Sequence, residues 1–276
     1  MNPLALMLVA GLAASPAFPP IPSRPAAIAI PDKNLEAAIR MVLHEPKAEL
    51  TEAKLNDVYV LESAGKQISN LAGLEKCKNL ALLKLSNNQV VDLKPLKDLT
   101  SLQSIDLAGN KIIDISPLAG LTKLQYLELS NNQVADLKPL AKLTSLSALY
   151  LGGNKISDLS PVENLAKLSS LSLPKNQVKN LAPLAKVTKL STLDLNDNQI
   201  VDLGPLTKQT ELSILLLERN KITDLAPLVT MAKADAEGPK RFAPYLRLHL
   251  KGNPLSEDAR TKQFAALKGF GVRVES

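Results

Sequence analysis

Apolar and polar positions recur with a period of 22 residues through most of this chain. The first full block is Leu80–Ser101, LALLKLSNNQVVDLKPLKDLTS. Six variants follow it without a gap and start at Leu102, Leu124, Leu146, Leu168, Leu190 and Leu212. A weaker copy precedes them at Val58, and a copy with longer spacing starts at Tyr245. A period of this length, held in register, predicts a stack of structurally equivalent units.

The apolar positions of each block predict a short strand with one buried face. With the first leucine as position 0, positions 0, 3, 5, 10, 13, 16 and 19 are aliphatic or Met in the seven full blocks, except for Gln209. The alternation at positions 3 to 5, as in Leu83-Lys84-Leu85, has the period of two that is typical of a strand. A unit of 22 residues cannot bury its apolar side alone, so stacked copies must share one continuous core.

Polar residues at fixed positions predict how the chain turns away from each strand. Position 8 is Asn in all seven blocks: Asn88, Asn110, Asn132, Asn154, Asn176, Asn198 and Asn220. An Asn side chain donates and accepts hydrogen bonds, so stacked copies predict an asparagine ladder that satisfies the backbone of a buried bend. Position 12 is Asp in six blocks and Asn180 in the fifth, and position 15 is always Pro. This spacing favours a turn into a short 3₁₀ segment.

The run L-x-x-L-x-L-x-x-N-x-L in these blocks is the signature of the leucine-rich repeat. From Pro31 to Ser276 the chain resembles the 22-residue class of leucine-rich repeat proteins, found in bacterial internalins and in regulatory subunits of protein phosphatase 1. The resemblance implies an α/β fold: a curved right-handed solenoid with a parallel sheet on its concave face, short 3₁₀ or helical convex segments and helical caps at both ends. Counting the flanking copies, we expect nine strands that span roughly 38 Å.

The residues before the repeats contain a candidate export signal and a linker. Residues 1–17, MNPLALMLVAGLAASPA, contain an apolar run from Leu4 to Ala14 that is long enough for a signal peptide and too short to span a membrane. Cleavage after Ala17 is therefore predicted, although no Lys or Arg precedes the run. Residues 18–31 are rich in Pro and predict an extended linker.

Residues 32–57 predict a helical cap over the open end of the first repeat. Asp32 is placed to cap a helix that begins at Lys33 and is ended by Pro46. Its predicted inward face consists of Leu35, Ala38, Ile39 and Val42, and a second, shorter helix turns Leu55 inward. The sequences PDKNLEAAIR and LTEAKL resemble the N-terminal cap of internalin-like proteins. That resemblance favours the bacterial, envelope-facing members of the class.

The repeats, residues 58–255, lose their register once near the end. Residues 232–244, AKADAEGPKRFAP, delay the last strand by eleven residues. They predict a longer surface loop, and the alternative is a protrusion that contacts a partner through Lys240, Arg241 and Phe242. Residues 256–276 predict the C-terminal cap: Ser256 caps a helix, Phe264 and Leu267 face inward, Gly269 ends it and Val272 and Val274 finish the cap.

Composition and charge exclude several classes of function. The chain has only 3% aromatic residues and no Trp. Its net charge is +6, but the sign of the charge changes from block to block, whereas a nucleic-acid-binding stripe needs Lys and Arg aligned over many blocks. The two His residues, His44 and His249, are far apart, and Cys77 is the single cysteine and occupies a core position. The sequence contains no G-x-S-x-G, no H-E-x-x-H and no phosphate-binding Gly-Lys-Ser/Thr loop. We therefore expect no enzyme activity, no cofactor and no metal.

The strand side chains at positions 2 and 4 of each block predict a surface for a protein partner. Two tyrosines fall on neighbouring strands, and Tyr offers large contact area and a hydroxyl group at low entropy cost. The predicted contact residues are Asp106, Tyr126, Glu128 and Tyr150, with Ile214 and Leu216 second. The alternative is that these residues are ordinary solvated strand positions.

The sequence therefore predicts a monomeric protein-binding module, secreted or held in the periplasm or cell envelope of a bacterium. Its resemblance to internalins implies binding of a protein through the concave face. The alternatives are an intracellular scaffold like the phosphatase-regulating members of the class, and a purely structural role in the cell envelope. No nucleic acid and no membrane span is expected.

Overall fold

The computed structural model describes residues 26–238, 240–241 and 243–275. The predicted signal peptide, residues 1–17, lies outside the described residues, as do residues 18–25 and Phe242. In the described part of the chain, ten short strands form one open, parallel sheet in which each strand pairs with the next in sequence. The strands are β1 Val60–Glu62, β2 Leu82–Lys84, β3 Ser104–Asp106, β4 Tyr126–Glu128, β5 Ala148–Tyr150, β6 Ser170–Ser172, β7 Thr192–Asp194, β8 Ile214–Leu216, β9 Arg247–His249 and β10 Arg273–Glu275.

The predicted solenoid is confirmed, with one strand more than the repeat copies predict. The extra strand, β10, lies in the predicted C-terminal cap and pairs with β9 through Val274 and Leu248. Val272 is buried and Val274 is half-buried, so these two residues extend the shared core by one more layer. Residues 256–276 carry no leucine-rich motif, so the repeat pattern does not predict this strand. Its apolar side chains instead cover the last turn of the stack, which would otherwise be exposed.

The strands pair position for position, which stacks equivalent leucines on one another. Leu83 lies opposite Ile105, and Ile105 opposite Leu127, and all three are fully buried. The core lies between the sheet and a column of 3₁₀ segments, which carry the buried apolar side chain of position 16. These segments are Leu74–Lys76, Lys94–Leu96, Ser116–Gly120, Lys138–Leu140, Ser160–Val162, Ala182–Lys186 and Gly204–Lys208.

The predicted asparagine ladder is present and links successive turns from Asn88 to Asn253. Asn110 accepts a hydrogen bond from the backbone N–H of Val90 at 2.9 Å. Its amide nitrogen donates to the carbonyl oxygens of Leu85 at 3.0 Å and Leu107 at 2.9 Å. The same arrangement recurs at the equivalent buried residues Asn88, Asn132, Asn154, Asn176, Asn198, Asn220 and Asn253.

The Asp-x-x-Pro turns also form as predicted. The Asp92 carboxylate accepts the backbone N–H of Lys94 at 2.9 Å, directly before the proline of the 3₁₀ segment. Asn180 makes the same bond to Ala182 at 2.9 Å, which shows why Asn can replace Asp at this position. The side chain satisfies a donor that a tight turn would otherwise leave without a partner.

The N-terminal cap contains the helices α1, Lys33–Leu43, and α2, Glu52–Asn56. One oxygen of Asp32 caps α1 at the backbone N–H groups of Asn34 and Leu35, as predicted. The other oxygen accepts the backbone N–H groups of Ser69 and Asn70 in the first repeat, at 2.8 and 3.1 Å. One carboxylate therefore joins the cap to the solenoid.

One detail of the predicted cap is wrong. Val42, predicted to face inward, is 37% exposed, and Leu43 packs against the core in its place. Helix α1 ends at Leu43 with a left-handed C-cap at His44, whose φ is 54°. Pro46 follows two residues later, where a proline commonly follows a helix because it cannot continue it.

The predicted surface loop at residues 232–244 is wrong for its first half, which is helical. Helix α3 runs from Ala226 to Glu237 and buries Met231 and Ala232 against the core. Asp235 is buried at the end of α3, where its carboxylate accepts the backbone N–H groups of Arg241 at 2.9 Å and Ala243 at 3.0 Å. The buried carboxylate of Asp235 thus fixes the backbone that leads from α3 back to β9.

The last repeat and the C-terminal cap follow the predicted pattern with shifts. Tyr245, assigned to core position 0, is 67% exposed, and Leu246 is buried instead. Ser256 accepts the backbone N–H of Ala259 at 3.1 Å, so it caps the last helical segment as predicted. That segment is helical from residue 257, passes through a π-helical turn, Ala259–Gln263, and continues as α4, Phe264–Gly269.

Replacing a ladder asparagine should weaken folding. In Asn132→Ala the backbone groups of Ile112, Leu107 and Leu129 lose their side-chain partner inside the core. We expect a loss of about 1–3 kcal/mol in the free energy of unfolding, measured by urea denaturation. The control is Gln133→Ala, an exposed neighbour. A Tm for Asn132→Ala equal to that of the wild type would contradict the ladder.

Replacing Asp32 should destabilise the cap in a pH-dependent way. Partial burial raises the pKa of this carboxyl group, but four backbone N–H donors outweigh burial and leave the pKa below its ordinary value. A lowered folded-state pKa stabilises the fold above the unfolded pKa, and this stabilisation is lost as pH falls through the folded pKa.

We therefore expect Asp32→Ala to lose about 0.5–2 kcal/mol at neutral pH. The difference from the wild type should shrink below about pH 4, measured by urea denaturation at several pH values. Asp57→Ala, an exposed acid of the same cap, should change stability by less than about 0.5 kcal/mol. A difference that does not vary with pH would show that the carboxylate charge has no part in the cap.

Candidate protein-binding surface on the open sheet face

The first and third residues of each strand point away from the core and form a continuous surface, here called the open sheet face. On β3 to β8 these residues are half-buried on both sides of a fully buried central residue. Strand pairing aligns them in two rows, one made by the first residues and one by the third. This is the face that the sequence predicts to be concave, and it carries all six predicted contact residues.

The two tyrosines of the predicted contact surface meet. The ring centroids of Tyr126 on β4 and Tyr150 on β5 are 5.5 Å apart, and the ring planes are tilted by 44°. Strand pairing places Glu128, two residues beyond Tyr126, directly opposite Tyr150. The Tyr150 hydroxyl also lies 3.3 Å from the hydroxyl of Ser170 on β6. The two rings are therefore held against each other, and the Tyr150 ring is also held to the neighbouring strand β6.

Two predicted acidic residues lie beside the rings. Asp106 and Glu128 occupy paired positions on β3 and β4. Each accepts a backbone N–H two residues further along the chain, just beyond its strand: Asp106 from Ala108 at 3.0 Å and Glu128 from Ser130 at 2.6 Å. One oxygen of each carboxylate is thus fixed by the backbone, which orients the whole group.

Burial and mutual repulsion alter the acidity of this cluster. Burial raises the pKa of Glu128, and the neighbouring Asp106 raises it further, against the hydrogen bonds from Ser130. Burial also raises the pKa of the Tyr126 hydroxyl, to which Glu128 and Asp106 add. The two carboxylates therefore repel each other at neutral pH, and their site is one that a positive group would stabilise.

Asp194 on β7 is a third acidic residue of this face and is not among the six contact residues predicted from the sequence. It accepts the backbone N–H of Asn196 at 3.1 Å, in the same way as Asp106 and Glu128. Burial raises its pKa as well. The signal was present in the sequence, since Asp194 occupies position 4 of its block, as Asp106 and Glu128 do in theirs.

The structure separates the second predicted pair from the tyrosines. Ile214 and Leu216 are the half-buried outward residues of β8, and Leu216 pairs with Asp194 on one side and His249 on the other. Four strand spacings of about 4.8 Å place them roughly 19 Å from Tyr126 on β4. The open sheet face thus carries a polar aromatic patch and a separate aliphatic patch.

The described residues offer no reactive thiol, metal site or membrane-spanning helix beside this face. Cys77 is fully buried, and burial raises the pKa of its thiol to about 12. Among the described residues, no three His, Cys, Asp or Glu side chains are grouped as metal ligands. No helix in the described ranges has the length and hydropathy needed to cross a bilayer.

Comparison with known proteins agrees with this geometry. The family model described as leucine-rich repeats (2 copies) matches residues 78–120, 122–165 and 166–208. The crystal structure of internalin C2 from Listeria monocytogenes is 36% identical, with a TM-score of 0.71 over 73% of this chain and 90% of that one. This chain belongs to the internalin-like leucine-rich repeat proteins.

Two further structures show how far the likeness extends. Internalin F of Listeria monocytogenes is 28% identical to this internalin-like chain, with a TM-score of 0.69 over 89% of this chain and 91% of that one. A leucine-rich repeat protein of Leptospira interrogans shares the fold at 20% identity and a TM-score of 0.60, over 75% of this chain and 57% of its own. A search of curated protein sequences gives no match.

Neutralising Glu128 should not weaken the fold. Because the raised pKa means that the folded state holds this proton more tightly than the unfolded chain, the wild type loses stability as pH rises from the unfolded to the folded pKa. Glu128→Gln keeps an oxygen for the Ser130 N–H and removes the repulsion from Asp106. We expect a gain of about 0.2–1 kcal/mol at pH 7, measured by urea denaturation, that vanishes at acidic pH.

The control is Glu62→Gln on the same face, because Glu62 is paired with Lys84 at 2.7 Å. That variant should give no gain at either pH. A clear loss of stability for Glu128→Gln at pH 7 would mean that the charge of Glu128 supports the fold.

Proposed function

We propose that this internalin-like chain is an exported, non-enzymatic module that binds a partner protein through its open sheet face. The observation that carries the proposal is the contact between Tyr126 and Tyr150 on that face, beside the oriented carboxylates of Asp106 and Glu128. Tyrosine is enriched among the residues that dominate binding energy at protein interfaces. Rings already in contact lose little entropy when a partner packs on them.

The dimensions of the face favour a macromolecular ligand. Ten strands spaced by about 4.8 Å give a sheet of roughly 43 Å across, which is too long and too open to enclose a metabolite. Continuous pairing from β1 to β10 makes it one rigid surface. Such a surface presents a fixed arrangement of side chains, which suits recognition of a protein.

Export is supported by the N-terminal sequence and by the family. The apolar run from Leu4 to Ala14 has the length of a signal-peptide core and is followed by small residues around Ala17. The full chain, expressed in the source organism with a C-terminal tag, should be found in the envelope or medium with Phe18 as its first residue, determined by mass spectrometry. Tagged protein retained in the cytoplasm with residues 1–17 intact would refute export.

Removing both tyrosine rings should abolish most of the binding and spare the fold. Tyr126→Ala with Tyr150→Ala is expected to weaken partner binding by at least about 2 kcal/mol and to leave folding nearly unchanged. The matched control is Tyr59→Ala with Tyr245→Ala, because these other two tyrosines are 55% and 67% exposed and lie outside the pair. Circular dichroism melting of both double variants checks the fold.

The measurement is affinity capture with the tagged full chain and both double variants as baits, against envelope and cytoplasmic fractions of the source organism, followed by titration of the captured protein. A protein from the envelope that the tyrosine variant loses and the control retains is the expected result. Equal affinity of the captured protein for the wild type and the tyrosine variant would refute binding through the open sheet face. A cytoplasmic protein with the same tyrosine dependence would support an intracellular scaffold instead.

A further inference from the structure

The centre of the open sheet face has a charge opposite to that of the chain. The twelve outward residues of β3 to β8 include three acids and no Lys or Arg, while the whole chain carries a net charge of +6. The three acids are Asp106, Glu128 and Asp194. A negative patch on a positive protein attracts and orients a positively charged group that comes within about 10 Å of it, the screening length at about 0.1 M salt.

The acids at the two ends of the same face are already paired. Glu62 on β1 forms an ion pair with Lys84 on β2 at 2.7 Å. Glu275 on β10 lies 3.7 Å from Arg247 and 3.2 Å from His249, both on β9. The acidic side chains at both ends of the face are therefore neutralised by basic side chains of the same face.

The strand ends next to the face are paired as well. Arg219, just beyond β8, binds Asp197 and Glu218, each at 2.6 Å. By contrast, Asp106, Glu128 and Asp194 form no ion pair within the described residues. Lys84 on β2 lies opposite Asp106, but its ammonium group is bound to Glu62 at 2.7 Å. The central carboxylates can therefore attract a positive group from outside the chain.

The two tyrosine rings beside the carboxylates are a second group that attracts a cation. Tyr150 pairs directly with Glu128, and Tyr126 is diagonal to Asp106 on the neighbouring strand. A Lys or Arg side chain is attracted both to the face of a tyrosine ring and to a carboxylate. The backbone N–H groups of Ala108 and Ser130 already hold one oxygen of each carboxylate, so a partner does not have to order them.

The spacing of the charges indicates the shape of the partner. Glu128 on β4 and Asp194 on β7 are three strand spacings apart, about 14 Å, which an extended chain covers in about four residues. One strand further, β8 presents Ile214 and Leu216. A single extended segment lying across the strands reaches both acidic sites and the aliphatic patch.

We propose that the occupant of the open sheet face is a cationic, extended segment of a partner protein that lies across β3 to β8. One Lys or Arg contacts Asp106, Glu128 and the tyrosine rings, a second contacts Asp194, and an apolar residue packs on Ile214 and Leu216. This inference rests on the proposed function and adds the chemistry of the partner. A polyanion such as nucleic acid is repelled by the same surface.

The test uses random dodecapeptides displayed on phage and selected on the immobilised full chain. Enriched peptides are synthesised with a fluorescent label and titrated by fluorescence anisotropy against the wild type and three variants. The first variant is Asp106→Asn with Glu128→Gln, which keeps side-chain oxygens for Ala108 and Ser130. The second, Asp98→Asn with Glu257→Gln, removes two exposed charges away from the sheet, and the third is Tyr126→Ala with Tyr150→Ala.

We expect the enriched peptides to contain at least two Lys or Arg residues. Their affinity should fall about tenfold or more for the Asp106/Glu128 variant and less than about twofold for the Asp98/Glu257 control. Raising the salt concentration from about 0.05 M to about 0.5 M should weaken binding to the wild type, because ions screen exposed charges.

Two other outcomes overturn the inference and separate it from the proposed function. Neutral or acidic peptides whose binding needs the tyrosines but tolerates the Asp106/Glu128 variant would refute the cationic partner and leave the proposed function standing. If no enriched peptide depends on the tyrosine pair, both the cationic partner and binding through this face are refuted.

Discussion

In the described part of the chain, eight successive turns of this solenoid are each hydrogen-bonded to the preceding turn through the side-chain amide of one asparagine. Asn110 shows the constraint: its oxygen accepts from Val90 of the turn before, and its nitrogen donates to Leu85 of that turn and Leu107 of its own. The bend after each strand is buried, so its backbone groups require partners within the protein. The Asn must therefore recur at the same position, and its spacing sets the period of the fold.

That period also organises the surface. Because every strand starts at the same position of its block, outward side chains that are 22 residues apart lie side by side, as Asp106 and Glu128 do. Neighbouring rows bring Tyr126 and Tyr150 into diagonal contact across β4 and β5. A rigid repeat thus converts a short pattern of outward residues into a fixed surface, and variation at those positions changes the surface without disturbing the core.

The ends of the solenoid follow different rules, because they lack a neighbour on one side. Asp32 replaces that neighbour at the start, where one carboxylate caps α1 and also binds Ser69 and Asn70. Inside the stack, in the turn between β7 and β8, Gln209 also departs from the repeat pattern: it is fully buried at a core position, and its side-chain nitrogen donates to the Leu184 carbonyl at 2.7 Å. At both residues, side-chain hydrogen bonds to the backbone of the adjacent turn provide the contact that a repeat residue makes elsewhere.

The sequence alone determined the solenoid, the positions of its strands, its core leucines, its asparagine ladder and the meeting of Tyr126 with Tyr150, since all of these follow from a fixed period and from alternation along a strand. Only the tertiary structure decided that residues 226–237 are helical, that Leu246 takes the core place of Tyr245, and that β10 forms. It also showed which carboxylates are paired and which are not. These features depend on contacts between residues far apart in the chain, which periodicity does not encode.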